Sequence, residues 1–204
     1  MRTLFLAVLL CGGCKIEKRP ESRPFADDFS SSSMGEAWSE TMSGLYRLSG
    51  GELVVKNGYN HPLWLRSALP RDAVIELDAW SNDEAGDIKI EAWGDGKSFA
   101  QTTSYTATSY VFILGGWHNQ ISAIARMNEH GADRRARSDV RVVKGQHYHF
   151  RITRKGGHID WQVDGRPFLT FDDPDPLDGA DHSYFGFNDW EAELHFDNLK
   201  ITPL

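Results

Sequence analysis

The sequence predicts an all-β domain in which two antiparallel sheets pack face to face. Apolar and polar residues alternate over several short stretches, and no segment sustains an apolar stripe at helical spacing. Turn formers punctuate the chain, which holds 19 Gly and 8 Pro in 204 residues. Seven Trp, 11 Phe and 6 Tyr supply bulk for a sizeable core. Aromatics at 12% and hydrophobics at 40% exclude a disordered chain. The net charge of -7 argues against a nucleic-acid partner, because phosphate neutralisation needs clustered Lys and Arg.

The chain opens with processing signals. Arg2 precedes an apolar run from Leu4 to Leu10. The run is far shorter than the roughly 20 residues of a membrane span and reads as the core of a secretory signal. Cys11-Gly12-Gly13-Cys14 follows, and two small residues directly before Cys14 resemble a bacterial lipobox. Residues 1–14 are thus expected to be a lipoprotein signal peptide and Cys14 the lipidation site, carrying palmitate or a similar chain. Cys11 stands where such motifs usually have Leu, and a plain secretory signal is the alternative. With Cys11 removed and Cys14 acylated, no cysteine remains for a disulfide, so packing alone, or packing plus a metal, must hold the domain. Residues 15–24 are polar and carry two prolines, as befits a tether. The expected place is the bacterial cell envelope, reached by export and held through the lipid only. Lys15 after the cysteine, rather than Asp, points to the outer membrane.

Strands follow in order from Phe25 to Leu204. Ile75, Leu77 and Ala79 alternate with Glu76, Asp78 and Trp80; Ile88, Ile90 and Ala92 alternate with Lys89, Glu91 and Trp93. The loop 82–86 between them is built of turn formers and makes the two strands expected neighbours. Residues 110–114 are almost continuously apolar, and 121–127 alternate. Tyr148, Phe150 and Ile152 alternate with His147, His149 and Arg151. Lys155-Gly156-Gly157 and Asp164-Gly165 read as tight turns around a strand in which Trp161 points to the core. Residues 172–181 form a loop, and strands at 184–187 and 194–201 end the chain. Ile75, Leu77, Ile88, Ile90, Phe112, Phe150, Ile152, Trp161, Phe185 and Phe187 are the expected core.

Asp27-Asp28-Phe29, Gly51 to Val55, Ala73 to Ala79, Ile159 to Pro167 and Phe196 to Ile201 resemble, in order and spacing, the concanavalin A-like lectin/glucanase superfamily. Bacterial keto-disaccharide hydrolase-like domains have closely similar ends. The resemblance implies a two-sheet jelly roll over residues 25–204 and a ligand on the concave sheet. It also implies a structural Ca²⁺ between the first and last strands, where Asp28 and Asp197 sit at matching positions. The alternative for these two is a turn cap and a solvent-facing carboxylate.

A sugar needs aromatic faces for its C–H surface and polar groups for its hydroxyls. Trp80, Trp93, Trp117, His118, Asn119, Asn188 and Trp190 are the candidate ligand-binding residues. Glu76-Leu77-Asp78 looks like the start of the laminarinase-type Glu-x-Asp-x-x-Glu signature, but its acid/base Glu is absent, leaving Glu91 as the substitute. Glu76, Asp78 and Glu91 are therefore the catalytic candidates. The incomplete carboxylate set favours carbohydrate binding, and a glycan-processing hydrolase is the alternative.

Overall fold

The computed structural model describes residues 20–102 and 105–204. Signal residues 1–14, with Cys14, and the first five tether residues lie outside this range. One sheet has the order β13 (Arg166–Asp172), β12 (His158–Val163), β11 (Tyr148–Lys155), β6 (Ala73–Ser81), β15 (Leu194–Pro203), β4 (Glu52–Val55) and β3 (Arg47–Ser49). An eighth strand, β1 (Phe25–Asp27), also pairs with β15. The other sheet has the order β10 (Arg135–Arg137), β9 (Ile121–Arg126), β8 (Tyr110–Gly115), β7 (Ile88–Gly94), β14 (Tyr184–Asn188), β5 (Leu63–Leu65) and β2 (Trp38–Glu40). Neighbouring strands are antiparallel, as in β6 with β11 and β7 with β14.

The core lies between the sheets because each strand alternates its apolar row inward. All ten expected core residues are fully buried. Phe112 from the seven-stranded sheet meets Trp161 from the eight-stranded one edge to face, with ring centres 5.7 Å apart. Phe187 and Phe196 bridge the sheets likewise at 4.5 Å. Such pairs each add about 0.5–1.5 kcal/mol beyond burial.

Two expectations about the strands are corrected. The strands β6 and β7 are not neighbours: β6 pairs with β11 and β15, whereas β7 pairs with β8 and β14. The intervening loop passes from one sheet to the other, and its turn-forming composition is the same as that of a hairpin loop. Secondly, Trp93 does not share an outer face with Glu91. On β14, Phe185 pairs with Ala92 and Tyr184 with Gly94, so Trp93 is an extra residue on β7. Its φ of 58° marks a bulge that breaks the alternation and turns the indole inward. Trp93 is fully buried, donates from Nε1 to the Pro70 carbonyl at 3.0 Å, and lies under the Arg154 guanidinium at 4.9 Å.

Candidate functional site

The outer face of the seven-stranded sheet carries polar groups where an exposed sheet would be solvated. Lys89 and Glu91 alternate outward from Ile88, Ile90 and Ala92 on β7, and Asn188 lies on the adjoining β14. Yet Glu91 and Asn188 are fully buried and Lys89 is nearly so. The chain segments around 59–61, 105–107, 117–118, 128–130 and 190–192 fold over them. Beneath these segments Ala107, Val111 and Ile113 form a second small apolar cluster, packed by Tyr105 and Trp117.

What remains open is a cleft of about 560 Å³, lined by Asn60, Asp87, Lys89, Tyr105, Trp117 and Trp190, among others. His118, Glu129, His130 and Glu191 also line it. Its size falls in the range of about 300–1,000 Å³ common to small-molecule sites. The floor is a connected network. Glu91 accepts hydrogen bonds from Ser109 Oγ at 2.6 Å, Asn188 Nδ2 at 2.7 Å and Tyr105 OH at 3.0 Å. Lys89 Nζ donates to Asn60 Oδ1 at 3.0 Å and pairs with Glu129 Oε2 at 3.2 Å.

Burial dominates the electrostatics. It raises the Glu91 carboxyl to about 7, against the opposing pull of its Ser109 and Tyr105 hydrogen bonds. Asp87 is raised to about 6 by burial, with Lys89 pulling down and Glu129 and Glu191 pushing up. Asp189, also fully buried, is raised to about 7 by the same cause, despite the bond it accepts from the Gly58 N–H at 2.8 Å. Burial pulls the Lys89 ammonium down, but Asp87 and Glu129 more than offset this and leave it above its usual value. Of these three perturbed carboxyls Asp87 lines the cleft, and Glu91 and Asp189 lie behind it.

A strained turn presents one wall. Between β8 and β9, Trp117, His118 and Asn119 have φ of 53°, 57° and 60°. Left-handed conformation costs roughly 1–2 kcal/mol per L-residue and normally occurs singly. The side chain of Asn119 clamps the turn: Oδ1 accepts from the Val142 N–H and Nδ2 donates to the Val142 carbonyl, both at 2.7 Å. Asn119 is therefore a positioning residue and not a wall of the cleft. Trp117 is backed by Arg134, 4.8 Å from the ring centre, and by the edge of His130 at 5.6 Å. Trp190 is braced by Tyr59, whose ring meets it edge-on at 5.1 Å.

The structure thus brings Trp117, His118, Trp190 and Asn188 to one place with Glu91. The remaining candidates lie elsewhere. Glu76 and Asp78 are on the outer face of the eight-stranded sheet, and the hydrophobic core separates them from Glu91. The three carboxylates therefore cannot flank one bond. Glu76 is paired with Arg151 Nη1 at 2.7 Å and Asp78 with His149 Nδ1 at 2.8 Å. Trp80, on that same far face, is not open for stacking. It is sandwiched between His147 at 3.8 Å and His195 at 5.1 Å and is only 6% exposed. Asp28 accepts from the Ser30 hydroxyl at 2.7 Å and Asp197 from the Asn198 N–H at 2.7 Å, both local turn bonds. Among the described residues no group of three or more His, Cys, Asp or Glu is placed to hold a metal ion, so Asp28 and Asp197 acquire no third such ligand.

Asn60, Asp87, Tyr105 and Glu191 escaped the sequence reading. One signal was available: the charges of Lys89 and Glu91 within the otherwise apolar stretch 88–93. Two charges on one row of a strand this apolar need each other, or a site.

A family model described as Farnesoic acid 0-methyl transferase matches residues 87–200, a span that holds both tryptophan walls and the cleft floor except Asn60. No curated protein matches the sequence. Among solved structures, the carbohydrate binding module CBM66 from Bacillus subtilis is 15% identical, with a TM-score of 0.61, over 81% of this chain and 95% of that one. The Bacillus licheniformis beta-glucanase is 10% identical, with a TM-score of 0.65, over 89% of this chain and 98% of that one. A laminarinase from Flavobacterium sp. UMI-01 is 10% identical, with a TM-score of 0.61, over 87% of this chain and 98% of that one. The fold is the concanavalin A-like jelly roll shared by glucanases and carbohydrate-binding modules.

Proposed function

The chain belongs to the family described as Farnesoic acid 0-methyl transferase, and we propose that it is a carbohydrate-binding member whose glycan occupies the cleft over the seven-stranded sheet. One observation carries this reading: two braced indoles, Trp117 and Trp190, line a cleft whose floor is a buried hydrogen-bonding network. Indole faces suit the C–H surface of a sugar ring, and the lining carboxylates Asp87 and Glu191 offer acceptors to its hydroxyls. The carbohydrate binding module among the structural relatives supports the reading. The reaction in the family's name fits the cleft less well. A carboxylate substrate would face Asp87, Glu129 and Glu191, and like charges repel.

The raised carboxyls Asp87 and Glu91 keep a glycoside hydrolase as the second reading, since an acid held protonated near neutral pH suits leaving-group protonation. A glycan array, followed by assay of reducing-sugar release from each hit, tests both. Binding without release is the expected result, release would favour the hydrolase, and an array without hits would refute the cleft as a glycan site.

We also propose export and anchoring to the bacterial outer membrane through lipid on Cys14, on the strength of the Gly12-Gly13-Cys14 motif and the polar tether after it. Cys14→Ser should release the protein from the membrane fraction or leave it uncleaved. Unchanged fractionation and mass would end the idea.

A further inference from the structure

The charge of the cleft says which sugars it takes. Asp87, Glu129 and Glu191 line it against one ammonium, Lys89. That ammonium is already committed, to Glu129 at 3.2 Å and to Asn60 at 3.0 Å, and its side chain is only 3% exposed. Asp87 is different. Its carboxyl is partly exposed to the cleft and accepts no hydrogen bond among the described residues; Lys89 and His118 act on it only through space. Glu191, at the rim, is also unpaired among the described residues. A partly buried carboxylate that accepts no hydrogen bond calls for a donor, and a charged donor satisfies it best.

The other titratable groups around the cleft do not donate to Asp87. The Arg134 guanidinium lies over Trp117 and donates to the Glu129 carbonyl at 2.8 Å, and it does not line the cleft. His118 and His130 stand at the wall. Glu91 and Asp189 lie behind it as further acidic groups, and Asp189 Oδ1 is buried without a hydrogen-bond partner among the described residues. The lining of the cleft is therefore predominantly acidic, and Asp87 and Glu191 are its carboxyls without a hydrogen-bond donor among the described residues.

Resting on the glycan-binding reading above, we propose that the cleft selects amino sugars with a free ammonium group, which pairs with Asp87 while the ring lies against Trp117 or Trp190. An acetylated amine loses the charge, and a uronic acid meets repulsion. A charge-assisted hydrogen bond is worth more than a neutral one by about 1.4 kcal/mol, which is about tenfold in affinity.

The test titrates the purified chain at pH 7 with β-1,4-linked tetramers of glucosamine, N-acetylglucosamine and glucose. The glucosamine tetramer is expected to bind about tenfold tighter than either of the others. Asp87→Asn should cut that preference to twofold or less, and Glu191→Gln, a change at an exposed position that does not endanger folding, should reduce it in part. Equal affinity for the three tetramers, or tighter binding of the acetylated one, would overturn the amine selectivity and leave the glycan cleft standing. Absence of binding to all three would also overturn it if an array yields another, amine-free ligand. An empty array would instead remove the underlying reading.

Discussion

Replacing Trp93 by alanine should unfold the domain more readily rather than remove a ligand contact. The indole is fully buried, and a tryptophan side chain buries about 150–250 Å². At about 25 cal/mol per Å² this sets an upper bound of about 4–6 kcal/mol. Measured Trp→Ala changes in cores cost about 3–5 kcal/mol because the cavity relaxes only in part. The lost Nε1 bond also leaves the Pro70 carbonyl without that donor, and Arg154 loses the ring beneath it. Relief of the left-handed strain at φ 58° is small, since alanine pays it too. A loss of about 4 kcal/mol follows, which is about 10 °C in Tm for a domain of this size. Urea unfolding monitored by far-UV circular dichroism measures it. A loss below about 1 kcal/mol, or lost glycan binding at an unchanged midpoint, would refute the inward placement of Trp93.

Further outcomes follow from the cleft. Asp87, Glu91 and Asp189 are raised in the fold to about 6, 7 and 7, so the folded chain holds more protons than the unfolded one between about pH 4 and 7. Their contribution to stability is then full below pH 4 and is lost as pH rises through 7. Glu91→Gln should remove about 3 kcal/mol of the fall over that window, its own share, read by urea midpoints from pH 4 to 8, and an unchanged slope would contradict the burial argument. Asn119→Ala should release the strained turn and weaken glycan binding, with a stability loss of about 1–3 kcal/mol from the unmet Val142 groups. Asn119→Gly keeps the left-handed preference but not the clamp, so it should behave much like Asn119→Ala.

The fold was legible because its signal is local. Alternation places Ile75 and Leu77 inward whatever their neighbours are, and turn residues mark where strands end. Strand pairing was not legible in the same way. The loop 82–86 has hairpin chemistry, yet it carries the chain to the opposite sheet, which sets Glu76 and Asp78 a whole core away from Glu91. Trp93 escaped because a single bulge reverses every side chain after it, and nothing in the residues 90–94 announces the extra one. Trp117, His118 and Trp190, singled out by composition, line the cleft. Asp87, Asn60 and Tyr105 were not singled out, because long-range loop packing alone brings them to the cleft. The position of Asn119 was not legible either, since its two bonds to Val142 cross 23 residues of sequence.

Calorimetric titration of the array-identified glycan into Trp117→Ala, Trp190→Ala and Glu76→Gln chains tests the central claim most directly. The two tryptophans line the cleft, and Glu76 lies on the opposite outer face of the sandwich. Each tryptophan change should weaken binding at least about tenfold, or about 1.4 kcal/mol, with the fold intact. Glu76→Gln should bind within twofold of the unaltered protein. Undiminished binding by both tryptophan variants, or a loss confined to Glu76→Gln, would contradict a glycan site over the seven-stranded sheet.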